Sequence, residues 1–281
     1  MKYYKIKSYA KLNLSLNVTG KNKSLHKIES IINFINLHDV IWIKEIISSK
    51  HIISFNGRFS KNIHKINTIS RLLKILEEKK ILKDKKFQIK VNKKIPNKSG
   101  LGGGSMNAAN ILKFFIKKKI IHVNKKKTEK ILKSIGSDVI LGLNQTSSIL
   151  TSNNKIIYFY NLKKLHVLIV KPNFGCSTKE IYSHVKKFNR PRLNKPNKEM
   201  FYFENLKKMN NDLEEIVYSK YPKLKKIKMY LEESCDPVFV RMTGSGSALV
   251  AYFKSKKRSE SAKKWFNKKY KNYWCIPSKT I

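Results

Sequence analysis

Acidic side chains are scarce in this sequence. Only 18 Asp and Glu stand against 61 Lys and Arg, a formal net charge of +43 over 281 residues. Taken alone, that imbalance points to a nucleic-acid partner. Arginine is scarcer still: Arg58, Arg71, Arg190, Arg192, Arg241 and Arg258 are the whole set, and every other basic residue is lysine. Arginine reads guanine edges and grips phosphate through paired hydrogen bonds, so a chain shaped for base readout would not shed it. Lysine is instead spread along the whole length with much Asn and Ile, as drift toward AT-rich codons would leave it. No specific nucleic-acid partner is expected, only weak, salt-sensitive adhesion to RNA.

Cysteine is limited to Cys176, Cys235 and Cys275, odd in number and without metal-type spacing, which fits a reduced cytoplasm and excludes a disulfide framework. No apolar run reaches the roughly eighteen residues of a membrane span. The opening residues, Met1 to Lys7, lack the apolar stretch of a signal peptide and read as an alternating strand. At 41% hydrophobic residues, the chain can bury the core of one large domain or two small ones.

Glycine is also sparse, 11 in all, yet four fall within five positions: Gly100, Gly102, Gly103 and Gly104. Before them Phe87, Ile89 and Val91 alternate with polar residues, the period of a half-buried strand. After them Ala108, Ile111, Leu112, Phe115 and Ile116 recur at helical spacing. A glycine turn between two patterned elements is no flexible linker, and glycine fills no core; it lets main chain approach a ligand. That ligand should be an anion, because a helix start presents unpaired N–H groups and the positive end of its dipole. Ser105 would sit there as a cap or as a hydroxyl turned to the ligand. The turn has no Gly-Lys-Ser/Thr ending and no acidic residue about twenty positions on, which excludes a Walker loop and argues against a dinucleotide site.

Elsewhere, Leu12, Leu14, Leu16 and Val18 alternate with Lys11, Asn13, Ser15 and Asn17, which puts Lys11 and Asn13 on one face, turned to a polar ligand or to solvent. Gly20 to Ser24 reads as a polar turn. A strand then ends at Leu37-His38-Asp39, and 40–47 and 52–55 read as two more strands. So many strands with few helices suggest an antiparallel sheet and an α+β fold. Helices are expected over 67–80, 128–134, 179–188, 224–233 and 259–269, with another beginning at Asn211 and the lysine-dense 117–127 as a solvated helix end and loop. Strands are expected at 149–151, 156–160, 165–171, 238–242, 248–253 and 273–276, and a mobile loop at 189–198. Asp138, beside Gly136 and next to apolar Val139 to Leu141, could be a helix cap, an ion-pair partner or a base. Thr243-Gly244-Ser245-Gly246-Ser247 is either a plain hairpin turn or a second surface of exposed N–H groups.

The run from Pro96 to Ala109, Pro-x-x-x-Gly-Leu-Gly-Gly-Gly-Ser-x-Asn-Ala-Ala, resembles the phosphate loop of the GHMP kinases, a family of small-molecule kinases. The resemblance continues in order through Ala10-Lys11-Leu12-Asn13-Leu14, Gly136 to Val139, Pro172 with Ser177-Thr178, Asn211-Asp212-Leu213-Glu214 and Met242 to Ser247, and covers residues 8–253. The first and the Asn-Asp-Leu-Glu pieces favour a member acting on a cytidine-diphosphate-linked polyol over homoserine, galactose or mevalonate kinases. The resemblance implies two domains: an ATP-binding one over 1–160, like domain 2 of ribosomal protein S5, and a ferredoxin-like one over 161–281.

It also implies that Asp138 takes the proton of the substrate hydroxyl and that Lys11 holds hydroxyl and aspartate in register. Pro96, Asn97, Lys98, Ser99, Gly100, Leu101, Gly102, Gly103, Gly104 and Ser105 would wrap the phosphates of ATP with Mg2+, Ser105 being the one protein group that could reach the metal. Asn13 and Thr178 match positions near polyol and diphosphate, His26 a residue that pairs with the cytosine edge, Tyr182 a ring stacked on that base, and Gly244 and Ser245 a turn over the diphosphate. Beside an adjacent lysine the aspartate would stay ionised. Leu25 stands where the family has tyrosine, a stacking loss of about 1 kcal/mol. Asn97 and Lys98 replace an apolar residue and a glycine, and Met106 replaces a second serine. A small-molecule substrate, no membrane partner, and a monomer or weak homodimer are expected. The alternatives are a GHMP kinase of another alcohol and a retired kinase fold that binds RNA.

Overall fold

The computed structural model describes residues 2–22 and 25–281. Among the described residues, ten strands form two sheets, with order β3-β4-β2-β5-β6 in one, where β1 also pairs with β2, and β10-β7-β9-β8 in the other. The chain forms two compact units that interleave along the sequence. The first takes Met1–Ala10, Leu37–Asn97 and Gly102–Gln145, and the second Lys11–Asn36, Lys98–Leu101 and Thr146–Ile281. A division near residue 160 therefore describes segments of sequence and not these units.

In the first unit, β3 (Ile52–Asn56) lies parallel to β4 (Lys86–Asn92), and β4 lies antiparallel to residues 40–46 of β2 (Leu25–Ile46). Helix α1 (Thr68–Glu78) starts at Asn67, whose side chain accepts from the N–H groups of Ile69 and Ser70 while the Ser70 hydroxyl returns a bond to the Asn67 N–H. It buries Ile69, Leu72, Leu73 and Leu76, spaced on one face, against Phe87, Ile89 and Val91 of β4 and against Ile111, Leu112 and Phe115 of α2 (Gly103–Lys117). Helix α3 (Lys125–Ile135) begins within the lysine-dense stretch, where Asn124 caps it by accepting from the Lys127 N–H. A short 3-10 turn over Val139–Leu143 follows.

In the second unit, Ser30–Ile32 of β2 pair antiparallel with β5 (Ser148–Leu150), which pairs with β6 (Ile156–Tyr158). The other sheet is wholly antiparallel: β7 (His166–Lys171), β8 (Phe239–Met242), β9 (Leu249–Phe253) and β10 (Trp274–Lys279). Its core joins Leu168, Val170, Leu249, Ala251 and Phe253 to α6 (Glu214–Lys220), α7 (Pro222–Ser234) and α8 (Lys256–Lys269). The α+β expectation holds, with β3 and β4 paired in parallel.

Several local expectations are corrected. Strand β1 runs unbroken from Tyr4 to Asn22 and takes in Gly20 to Asn22; the remaining turn residues, 23 and 24, lie outside the described ones. Leu37-His38-Asp39 does not end a strand: β2 passes straight through it, because Asp39 is buried and fully hydrogen-bonded there. The helix expected over 179–188 stops as α4 (Thr178–Ser183). There the Ser183 hydroxyl donates to the Glu180 carbonyl, which the His184 ring nitrogen also meets at 2.8 Å, so side chains displace the next turn of the ladder. A 3-10 turn at Lys198–Phe201 and helix α5 (Phe203–Lys207) had no periodic signal.

The stretch 189–198, expected to be mobile, is pinned at its start. The Asn189 N–H donates to the Val18 carbonyl, and those of Arg192 and Leu193 donate to Glu29 at 2.7 and 3.0 Å. Glu29, fully buried, also accepts from Asn17. Glu29→Ala leaves two main-chain donors without their acceptor and should lower the free energy of unfolding by about 3 kcal/mol. Urea titration reads this, and limited proteolysis should newly cut the variant between 189 and 198.

Candidate active site

The glycine turn follows β4 after a short connection. Ile95 and Pro96 are buried, Asn97 is exposed and donates to the Phe59 carbonyl, and Lys98, Gly100 and Gly102 follow with φ of +48°, +74° and +70°. Lys98 holds at some cost a backbone conformation natural to glycine. Gly102 is the N-cap of α2 and offers no side-chain cap bond, so Ser105 is the third helical residue and not the cap. The helix itself gives the N–H groups of Gly103, Gly104 and Ser105 no partner, and Gly104 is exposed. The Thr68 hydroxyl fixes this turn by donating to the Gly104 carbonyl at 2.7 Å.

Residues 98–101 belong to the second unit. A Cβ on Gly100 would stand 1.9 Å from the Thr243 carbonyl oxygen. The N–H groups of Ser247 and Ala248 donate to the carbonyls of Lys98 and Ser99, and that of Gly246 to Thr243. Thr243 to Ser247 is therefore more than a plain hairpin turn: its last N–H, on Ser247, and that of the following Ala248 brace the glycine turn.

Asn211 and Glu214 hold this brace from behind. Asn211 Nδ2 donates to the carbonyls of Met242 and Gly244, both at 2.8 Å, and Glu214 accepts from the Met242 N–H at 2.6 Å. Periodicity marks Asn211 only as a helix start; its value as an anchor shows only when the turn 32 positions on has been placed beside it.

In the same unit, the shared face of β1 (Tyr4–Asn22) brings Lys11 and Asn13 together. Both are buried, and the Lys11 ammonium donates to Asn13 Oδ1. Asn13 donates in turn to the Ser30 hydroxyl at 2.8 Å, and its N–H to the Thr243 hydroxyl at 2.9 Å. Lys11 and Asn13 thus do not face bulk solvent. Its N–H bonded to the Leu101 carbonyl, Lys11 is tied to the glycine turn by main chain as well. Thr178 and Ser245 share a hydroxyl hydrogen bond of 2.8 Å.

His26 lies with two rings: Tyr182 at 5.2 Å and Phe188 at 6.3 Å between centroids. Its Nε2 is buried and has no hydrogen-bond partner among the described residues. Burial, helped by the charge of Lys21, lowers its pKa below the ordinary 6.5, so the imidazole is neutral at neutral pH. Leu25 is 70% exposed. Phe188 is the ring that sequence reasoning missed, assigned to a helix that ends five residues earlier.

Asp138 belongs to the first unit. It follows Gly136, the C-cap of α3, and precedes the 3-10 turn, and its side chain makes no capping bond there. It is half-buried above Val139 and Leu141, both buried. A Cβ on Gly142 would stand 2.5 Å from that of Ala109 and 3.2 Å from Met106 Sδ, so the segment carrying Asp138 packs directly on α2. Met106 is fully buried in that contact. A cavity of about 250 Å³ in this unit is walled by Phe55, Ile63 and Ile66 and rimmed by Asn67, Asn97 and Gly104. Among the described residues, no group of three His, Cys, Asp or Glu could hold a metal ion, and no helix is long and apolar enough to cross a membrane.

Residues 67–151 match the GHMP kinases N terminal domain, and residues 185–272 match GHMP kinases C terminal. A 4-diphosphocytidyl-2-C-methyl-D-erythritol kinase of Pelagibacter ubique (strain HTCC1062) is 57% identical over 281 residues, 100% of both chains. Another, of Anaplasma phagocytophilum (strain HZ), is 30% identical over 100% of this chain and 96% of its own. In fold, the chain matches a crystal structure of 4-(cytidine 5'-diphospho)-2C-methyl-D-erythritol kinase with a TM-score of 0.78 at 19% identity, covering 99% of each chain. It matches the homoserine kinase of Cytophaga hutchinsonii at 0.73 and 15%, covering 100% of this chain and 95% of that one. With both family segments present and identity running end to end, the chain belongs to the GHMP kinases.

Proposed function

We propose that this small-molecule kinase uses ATP to phosphorylate the 2-hydroxyl of 4-diphosphocytidyl-2-C-methyl-D-erythritol, in the non-mevalonate route to isoprenoid precursors. The observation that carries this reading is the 57% identity, over the full length, to a kinase of that name. The glycine turn fits a nucleotide's phosphates on structural grounds. A Cβ on Gly103 would stand 3.0 Å from Ile95, and exposed Gly104 leaves main-chain N–H groups open at a helix start. The apolar cavity beside Gly104 suits the nucleoside, its Phe55, Ile63 and Ile66 walls taking the adenine ring.

ATP, bound with Mg2+, supplies the phosphoryl group to be transferred. The N–H groups of Gly103, Gly104 and Ser105 meet its charge, and Ser105 Oγ is the protein oxygen available to the metal. Asp138 accepts the proton of the attacking hydroxyl at a carboxylate oxygen. Lys11, its ammonium anchored on Asn13, orients that hydroxyl and offsets developing charge. Positioning and neutralisation dominate such a transfer, and no covalent intermediate on the protein is needed.

Thr178 and Ser245, held by one hydroxyl bond, meet the substrate's diphosphate beside Gly244. The unpaired, neutral His26 Nε2 hydrogen-bonds the cytosine edge, and Tyr182 stacks on the base. Phe188, also beside His26, supplies the second ring that Leu25 does not provide. The reaction runs in the cytoplasm, in keeping with three free thiols, in a protein that is a monomer or weak homodimer.

Asp138→Asn should keep its urea midpoint and lose about 10³-fold in kcat in a coupled ADP-release assay; near-wild-type kcat would remove the base. Phe188→Ala should raise KM for the cytidylylated substrate by about tenfold, the size of one stacking contact, and leave KM for ATP unchanged. With His26 neutral above its lowered pKa, KM for that substrate should stay flat from pH 8.5 down to 7.5. Homoserine and mevalonate, assayed beside it, should not be turned over.

A further inference from the structure

Asp39 has no part in the reaction described above, yet its carboxylate meets four donors. Its carboxylate is fully buried in β2. Oδ1 accepts from the N–H groups of Lys94 at 2.7 Å and Ile95 at 2.9 Å, while Oδ2 accepts from Asn107 Nδ2 at 2.9 Å and pairs with the Lys93 ammonium. One side chain thus fastens the end of β4, the first residues of the glycine turn and the second turn of α2.

Lys93 is equally buried, and its Nζ lies 3.2 Å from where a Cβ on Gly103 would stand. The ammonium is therefore held at the start of α2, the positive end of the helix dipole, where a cation is unfavourable until an anion arrives. A buried ion pair adds little stability over apolar residues of the same shape. Two further observations point to a ligand. Lys93 and Asn107 both line the cavity beside Gly104, and Asn107 Oδ1 is buried with no hydrogen-bond partner among the described residues.

We propose that Asp39 is a positioning residue for nucleotide binding: it holds the Lys93 ammonium and the main chain at 94–95 in the shape that receives the phosphates of a nucleoside triphosphate. The inference rests on the kinase reading above. Charge and position predict opposite signs. Removing a carboxylate near an anion site would tighten binding if only charge mattered; if Asp39 positions the site, binding weakens.

The test is calorimetric binding of a non-hydrolysable ATP analogue with Mg2+ to the full chain, with urea titration of each variant. Asp39→Asn should weaken binding about tenfold while KM for the alcohol substrate moves less than twofold. The double variant Asp39→Asn with Lys93→Met removes both buried charges, regains the wild-type urea midpoint, and should still bind weakly. It also decides the matter if the single variant does not fold. Unchanged or tighter binding by folded Asp39→Asn, or wild-type binding by the double variant, would overturn the proposal. Failure of the unaltered protein to bind the analogue would overturn the kinase reading instead.

Discussion

Two stretches of main chain, 98–101 and 243–248, meet with no side chain between them. At Gly100 even a methyl group would stand 1.9 Å from a carbonyl oxygen, and the φ of +74° independently disfavours other residues. Because the contact is backbone to backbone, its geometry is fixed by hydrogen bonds from Ser247 and Ala248 and not by rotamers. Much of the second unit serves to keep it. Asn211 and Glu214 grip the far side of the 242–244 segment, the Thr243 hydroxyl accepts from the Asn13 N–H, and Asn13 carries Lys11. A disturbance at any of these would be felt first as a shift of the glycine turn. Such a turn binds anions through the direction of its N–H groups, so small rotations matter more there than they would in a site built from long side chains.

The excess of lysine takes two physical forms. Most of it is exposed and solvated, where single charges contribute little to stability. Lys11, Lys93 and Lys171 are different, all buried with the ammonium bonded to oxygen: Lys11 to neutral Asn13, Lys93 to charged Asp39, and Lys171 to the main-chain carbonyls of Pro172 and Phe174. Burying an ammonium is unfavourable unless its donors are met, and charged acceptors are uncommon in a chain with 18 acids. Scarcity makes each buried carboxylate informative. Asp39, Glu29 and Glu214 all accept main-chain N–H groups, and each fixes a segment that has no regular structure of its own or that ends a strand.

The glycine turn and its flanking strand and helix were legible because three independent signals coincide there: a period of two, a cluster of glycines, and a period of 3.6. Lys11 and Asn13 were placed on one face for the same reason. What could not be read were features made by distant residues. Ser105 was a reasonable cap by residue type, but Gly102 reaches the left-handed conformation first and takes the position. Asn211 and Glu214 look like a helix start, since nothing local says that their partners lie in a later turn. The cavity of the first unit draws its walls from β3 and the coil before α1 and its rim from Asn67, Asn97 and Gly104, so no window of sequence contains it. The loop after α4 looked mobile because prolines and polar residues give no period; Glu29, 163 positions before Arg192, supplies the order.

The departures from the family pattern follow the same division between local and distant causes. Met106, in place of a serine, is fully buried against the glycine of the turn that carries Asp138. A hydroxyl there would need a partner in an apolar contact, whereas a thioether fills the irregular gap beside Gly142 without one. The substitution thus trades a possible polar group near the phosphates for tighter packing beneath the proposed base. Lys98, in place of a glycine, keeps glycine's backbone conformation, and it does so where Ser247 bonds its carbonyl and Gly175 lies against its side chain. In both cases the main-chain path is held by neighbours that do not depend on the altered side chain, which is why the turn can lose two of its customary residues and keep its shape.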